Sequence, residues 1–443
     1  MRDILIKEAE NGIIVGFNDK SYNLIYPKDI WKNTPNSLKE FFIQEYGFIS
    51  TMMTPVIAGV KSVNYNISEP IFRNEAREII LKQIPGIADD YNNNTKETID
   101  KFNGIEYAFQ DKKEFAVESS AGEGVIIPVS CGKDSLLTLG LARELNLDIT
   151  AIYVNDTVSP QENKIKQEHA REIADKNKLK IEIVQNNIEK LNDFETWNKP
   201  QTCLGYTHMI TGFCFLSLPF MQDNASTILL GNQQDMNFSF ITKEGFTGYA
   251  SYDQTTEARH QQEKMLQYAN PDYKVSSIIE PLTNIAETKI LFSRYPELAR
   301  YQVSCDCLDG SSETRWCHEC SKCARLGIFM LANNFNPSIV GLNALLSKEF
   351  KKYYALFGMS PEIDRYEKTK EAREQQLLAF YMAHKNGIKG DLIDLFKERF
   401  LEEAISREDE LRKKFFKIYP SDIPAAINSK LNSIFKEELA DLQ

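Results

Sequence analysis

Apolar and polar positions in this chain change rhythm near residue 124. Before it, short strand-like runs such as GIIVGF and YNLIY stand among amphipathic segments. The acidic, Asn-rich stretch ADDYNNNTKETIDKF reads as a surface loop running into a helix. Residues 1–118 predict a separate N-terminal α+β domain without a chemical motif. From Gly124 the pattern becomes regular. VIIPV is a continuous apolar run, as in a strand buried on both faces. SLLTLGLARELNL has helical spacing, with Leu136, Leu139 and Leu145 on one face. DITAIYVND, KIEIVQ and STILLG continue as strands, separated by a charged helix (KIKQEHAREIADKNKL) and an apolar one (HMITGFCFLSLPFM).

That alternation predicts an α/β fold, a parallel sheet with right-handed crossovers and helices on both faces, over residues 119–330. Residues 331–443 predict a helical C-terminal region, with segments such as KEAREQQLLAFYMAHKN. Ligands of such sheets sit at the carboxyl ends of the strands. The SCGKDS loop after the first strand and NQQD after the fourth therefore face one pocket.

Composition narrows the function classes. A chain of 443 residues exceeds one compact core. A net charge of -11 argues against broad nucleic-acid binding. No apolar stretch of about 18 residues stands out as a membrane span. The first residues, MRDILIKEAENGIIVGF, carry charges inside their apolar run, unlike a signal peptide. A cytoplasmic location is expected. Five of the eight cysteines fall between Cys305 and Cys323, which reads as a metal site rather than a disulfide framework.

The loop Ser130-Cys131-Gly132-Lys133-Asp134-Ser135 lies between a buried strand and a helix. A Walker loop needs glycine five residues before Gly-Lys and a hydroxyl after the lysine; Ile127 and Asp134 stand there instead. The setting still suits phosphate: a helix N-terminus, a glycine for close approach, two hydroxyls and a cation. Asp134 fits an early helix position or a Mg²⁺ ligand. The loop resembles the PP-loop of the N-type ATP pyrophosphatases, Ser-Gly-Gly-x-Asp-Ser, with Cys131 replacing the first glycine. The resemblance implies an adenine nucleotide alpha-hydrolase-like fold, ATP and Mg²⁺ as cofactors, and cleavage between the α- and β-phosphates. Ser130, Cys131, Gly132, Lys133, Asp134 and Ser135 would bind phosphate, with Lys133, Asp134 and Ser135 nearest the chemistry. Asn155, with Asp156, ends the second strand, where that fold meets adenosine.

Cys317, Cys320 and Cys323 have C-x2-C-x2-C spacing, with Cys305 or Cys307 as a fourth thiolate. Four thiolates suit tetrahedral Zn²⁺, and the spacing also permits an iron–sulfur cluster. His318 is less suited as a ligand. Ser304-Cys305, the three-cysteine run and Arg325 resemble the zinc site of the 7-cyano-7-deazaguanine synthases, which favours Cys305. Such zinc is structural. Glu280-Pro281-Leu282 and ETKIL resemble the segment before that site. Asn232 and Asp235 of GNQQD match the synthases' substrate-facing segment and are the expected substrate-binding residues. The synthases' Val-Pro-x-Arg-Asn-like segment is absent; GYTHMITG stands there. Trp197 and His208 flank a loop beside the pocket.

Two other relatives compete. Gly-Lys-Asp-Ser, Asn270-Pro271-Asp272 and Trp316 to Cys323 loosely resemble the AMP-forming epimerase of a UDP-muramoyl dipeptide. Long synthase-like proteins of bacterial antiviral defence are the third, and extra domains would suit docking of a protein partner. All three imply a small-molecule carboxylate adenylated by ATP, followed by amide, nitrile, protein-conjugate or epimer formation. A nucleotide-binding scaffold without catalysis is the reading from another class.

Overall fold

A computed structural model describes residues 2–110, 116–156, 160–200, 202–304, 315–423 and 425–442. Among them the strands are β1 (Arg2–Ala9), β2 (Gly12–Phe17), β3 (Lys20–Ile25), β4 (Ser62–Ser68), β5 (Glu106–Gln110), β6 (Gly124–Pro128), β7 (Ile149–Asp156), β8 (Ile181–Asn186), β9 (Ala225–Leu229), β10 (Ser239–Ile241), β11 (Thr247–Tyr249) and β12 (Lys274–Ser276). β10 and β11 form a small hairpin; the other ten make one sheet, ordered β12-β9-β6-β7-β8-β3-β2-β1-β4-β5. β12 through β8 run parallel. β3, β2 and β1 pair antiparallel, and β4 and β5 return to parallel.

Counted along the chain, the five parallel strands have the order 3-2-1-4-5. The order reverses between β6 and β9, which opens a crevice at their carboxyl ends. β6 is apolar throughout because both faces are covered. Val125 and Ile127 enter one core, while Ile126 enters the other. The period-two alternation of a strand makes that division.

The expected separateness of residues 1–118 does not survive. Leu24 and Ile25 of β3 pair with Asn186 and Gln185 of β8, so the N-terminal strands extend the central sheet. Helix Asn36–Ile49 packs on helix Met209–Met221, and Phe41, Phe42 and Tyr46 share a core with Ile126, Phe215 and Ile228. The physical reason is the β8 edge, whose open ladder is satisfied by β3. The C-terminal helices cover the opposite face, where Leu377, Phe396 and Leu431 join Ile127 and Leu136. Segment Cys203–Met221 has the length and composition of a membrane span, contrary to the sequence expectation, but 72% of it is buried inside the protein.

Arg294 fastens the last helix. It donates to Glu144 at 2.7 and 2.8 Å, to Glu437 at 3.0 Å and to Glu438 at 2.9 Å. Tyr295 also donates to Glu144, at 2.7 Å. These bonds, Arg294's first, hold the Glu144 carboxyl down at about 2 against an ordinary value of 4.5. A depressed carboxyl stabilises the fold above its unfolded value, and that contribution fades as pH falls from 4.5 towards 2. Urea denaturation across that window is expected to show falling stability, with a shallower slope in Glu144→Gln.

Candidate active site

The turn from β6 into helix Lys133–Glu144 answers for Cys131. Its φ is +56°, a left-handed conformation that costs most L-residues about 1–2 kcal/mol and that glycine adopts freely. The Cys131 side chain is buried in the core, with its thiol 3.7 Å from the Lys166 carbonyl. Burial pushes the thiol up to about 12, so it is no nucleophile at neutral pH. The Cys131 carbonyl accepts from Val303 N at 2.8 Å, tying the loop to the strand of chain that enters the cysteine region.

Gly132 caps the helix without a side chain, and no side-chain hydrogen bond closes the N-terminus. The loop serines bond to the loop itself. Ser135 Oγ accepts from Ser130 N at 3.2 Å and donates to the Gly132 carbonyl at 3.1 Å. Ser130 Oγ accepts from Gly132 N at 3.3 Å. The partial positive end of the helix is thereby presented at the carboxyl end of β6.

Lys133 is buried and its ammonium contacts the carboxylates of Asp134 and Glu287, with Gln233 Oε1 at 3.4 Å. Burial would lower the lysine, but Asp134 and Glu287 outweigh it and raise it. Burial would raise Asp134; Lys133 reverses that and holds it low. Glu287 rises well above the carboxylate range because burial dominates the attraction of Lys133.

Asp134 borders two clefts. The first lies at the carboxyl ends of β6, β7 and β9 and is lined by Ser130, Ser135, Tyr153, Asp156 and Asn232. The second is lined by Lys133, Gln302, Lys322, Arg325 and Tyr366. Gln254 borders both. Asn232 is buried, and its Nδ2 has no hydrogen-bond partner among the described residues, as expected of a donor waiting for a ligand.

Three candidates fall elsewhere. Asn155 donates to Gln185 on β8 and does not line the first cleft; Tyr153, Val154 and Asp156 do. Asp235 lines neither cleft: it accepts from Asn284 N at 2.6 Å and from Gln375, capping helix Asn284–Arg294. Trp197 donates to the Leu191 carbonyl at 3.0 Å, away from the cleft. Glu287, Gln254, Gln302 and Lys322 were not singled out in sequence. Glu287 lies inside ETKIL and Lys322 inside the cysteine run, but nothing local marks either as facing Lys133.

Gly231, after β9, lets that strand end approach the loop. A Cβ there would stand 2.9 Å from Asp134 Cβ. Gly231→Ala is expected to cost about 1–3 kcal/mol by overpacking, which urea denaturation measures.

The Sγ atoms of Cys317, Cys320 and Cys323 lie within 4.8 Å of one another. Cys317 and Cys323 are 3.8 Å apart, the separation that Zn–S bonds of about 2.3 Å give in a tetrahedron. Backbone N–H groups of Glu319 and Cys323 donate to Cys317 and Cys320 sulfurs, each at 3.4 Å. The trio could hold a metal ion. Cys305 and Cys307 lie outside the described residues. His318 is turned to Asn343, 3.2 Å from its Nδ1. Cys320 is the N-cap of helix Ser321–Ala332, which carries Lys322 and Arg325 to the second cleft.

Comparison with protein-family models and with curated proteins finds no match to this chain.

Proposed function

We propose that the protein is an ATP-dependent adenylating enzyme of the PP-loop type, splitting ATP between its α- and β-phosphates to activate a carboxylate. One observation carries the reading: the SCGKDS turn, with its left-handed second residue and uncapped helix N-terminus, opens on a cleft at the point where the strand order reverses. In this reading adenosine lies in the first cleft beside Tyr153 and Asp156, with Asn232 Nδ2 donating to it or to the substrate. The phosphates lie on the helix N-terminus.

Lys133 and the helix dipole balance charge on the departing pyrophosphate. Mg²⁺, when bound, would supply further charge neutralisation, and Asp134, which reaches both clefts, is the residue that would hold it. The second cleft, with Lys322 and Arg325 on its wall, suits the carboxylate. The cysteine pattern favours a 7-deazaguanine carboxylate as substrate and zinc as the structural metal.

The test is AMP and pyrophosphate release from α-labelled ATP with 7-carboxy-7-deazaguanine, then with UDP-muramoyl-L-Ala-L-Glu. AMP with the first supports the synthase-like reading, and AMP with inversion of the second supports the epimerase instead. ATP binding without AMP from either acid, or from a wider carboxylate panel, rejects adenylation in favour of a scaffold.

A further inference from the structure

Among the described residues, Asp134 and Gln254 are the two that border both clefts. The place between them is where a nucleotide in the first cleft meets an acid in the second. Asp134 comes from the loop after β6, and Gln254 from the turn between β11 and helix Thr256–Gln267.

That turn is anchored through its other residues. Ser251, Tyr252, Asp253 and Thr255 are buried, whereas Gln254 is half-buried. Asp253 accepts from Ser251 Oγ at 2.7 Å and from Ile210 N at 3.3 Å, and its carbonyl accepts from Gln262 Nε2 at 2.8 Å. Thr255 Oγ1 caps the following helix, accepting from Ala258 N at 3.1 Å. The backbone is fixed on both sides of Gln254, and its side chain is left to the clefts.

The remaining anchors come from helix Arg73–Asp90 of the N-terminal region. Gln83 Oε1 accepts from Tyr252 N at 2.7 Å. Lys82 Nζ donates to the Tyr252 hydroxyl at 2.9 Å and to Glu257 at 2.8 Å. A Cβ on Gly86 would stand 2.5 Å from the Tyr249 carbonyl oxygen, so the helix lies directly against the chain that enters the turn. The end of the same helix holds another wall of the second cleft. Arg365 donates to Asp90 at 3.1 Å, and Lys368 to Asp89 at 2.6 Å and Asp90 at 2.7 Å, on either side of Tyr366. Aspartates in a last helical turn oppose the helix dipole, and these two cations offset that cost.

We propose that Gln254 is a catalytic residue at the junction of the clefts and that helix Arg73–Asp90 positions it, which makes the N-terminal region part of the active site. The proposal rests on the adenylating reading. A carboxylate oxygen forms a bond to the α-phosphorus. The bond from that phosphorus to the bridging oxygen breaks, and pyrophosphate leaves with the electron pair. Two anions meet in this step, and a neutral amide can stand between them without repelling either. Its N–H donates to a non-bridging α-phosphoryl oxygen, where charge gathers as the fifth oxygen approaches.

Two measurements test this. In ³¹P spectra of bound MgATP without acid, Gln254→Met, similar in length but lacking the N–H, is expected to move the α-phosphorus resonance and leave the γ-phosphorus in place. An unmoved α-phosphorus overturns the contact. With 7-carboxy-7-deazaguanine, or else the acid found by AMP release, Gln254→Met is expected to lower kcat about 10²–10³-fold with little change in KM for ATP. A wild-type kcat overturns the catalytic role. Gln83→Leu, which frees the turn, is expected to move the same resonance and lower kcat about 10-fold or more, which a loss of stability alone does not produce. Wild-type values of both in Gln83→Leu overturn the positioning by the N-terminal helix. Should that variant misfold, Lys82→Met, at a partly exposed site, takes its place. Wild-type protein that binds ATP but makes no AMP from any acid refutes adenylation, and the α-phosphorus resonance still decides the contact of Gln254. Protein that does not bind ATP refutes both.

Discussion

Cys323→Ser is expected to abolish a bound zinc equivalent and to produce the largest loss of stability of any single substitution in the cysteine cluster. Cys323 is buried, 3.8 Å from the Cys317 sulfur, and its own N–H supports Cys320. A serine oxygen in that place leaves the other thiolates repelling each other without a shared cation. Structural zinc in small finger peptides contributes about 10–16 kcal/mol at pH 7; here the core holds most of helix Ser321–Ala332, so about 3–5 kcal/mol is expected. The loss falls on the first turn of that helix and so on Lys322 and Arg325 at the second cleft. Metal analysis and urea denaturation with and without chelator measure it. Cys203→Ser, a thiol outside the trio that contacts Tyr91, serves as the control and should keep its metal. A Cys323→Ser protein with full zinc and an unchanged midpoint would dispose of the metal centre.

Lys133→Met is expected to cost about 3–5 kcal/mol, chiefly because it leaves the buried carboxyl of Glu287 without its cation, with a smaller part from the partly exposed Asp134. The side chain is similar in length, so packing is a minor part of the loss. Combining it with Glu287→Gln should restore a measurable share, with a coupling energy above about 1 kcal/mol, since the two groups are in contact. Additive losses in the double variant would show that Lys133 and Glu287 do not act on each other. In the same series the proposed adenylating activity predicts that Asp134→Asn keeps the fold and lowers AMP formation at least about 10²-fold, since it removes the only carboxylate of the loop. Calorimetric unfolding and labelled-ATP turnover separate the two effects.

Much of the framework was legible because it is local. The runs VIIPV, DITAIYVND and KIEIVQ became β6, β7 and β8 with no bound shifted by more than one residue. The apolar run of β6 reports burial on both faces wherever its neighbours lie. The three-cysteine spacing brings its sulfurs together through one short turn, which few backbone paths can avoid. Cys131 was noticed as a departure, but its left-handed φ and its buried sulfur needed the fold to explain them.

The remainder depended on distance in sequence or on a one-residue offset. Asn155 and Asp156 are adjacent, and only strand alternation against β8 sends one to Gln185 and the other to the cleft. Asp235 looked like a substrate contact after its strand, yet it caps a helix that begins 49 residues later. GIIVGF and YNLIY announce strands but not partners, so the joining of β3 to β8 was invisible. By itself, the sequence determined the strand-and-helix rhythm, the turn from β6 into the following helix and the cysteine trio, because periodicity, turn geometry and ligand spacing act over a few residues. Tertiary structure decided that Glu287 meets Lys133 across 154 residues, that His208 stands on Glu189 behind the cleft, and that both flanking regions share the central cores. Burial and electrostatic pairing depend on which distant surfaces the chain brings together, and no local pattern encodes that.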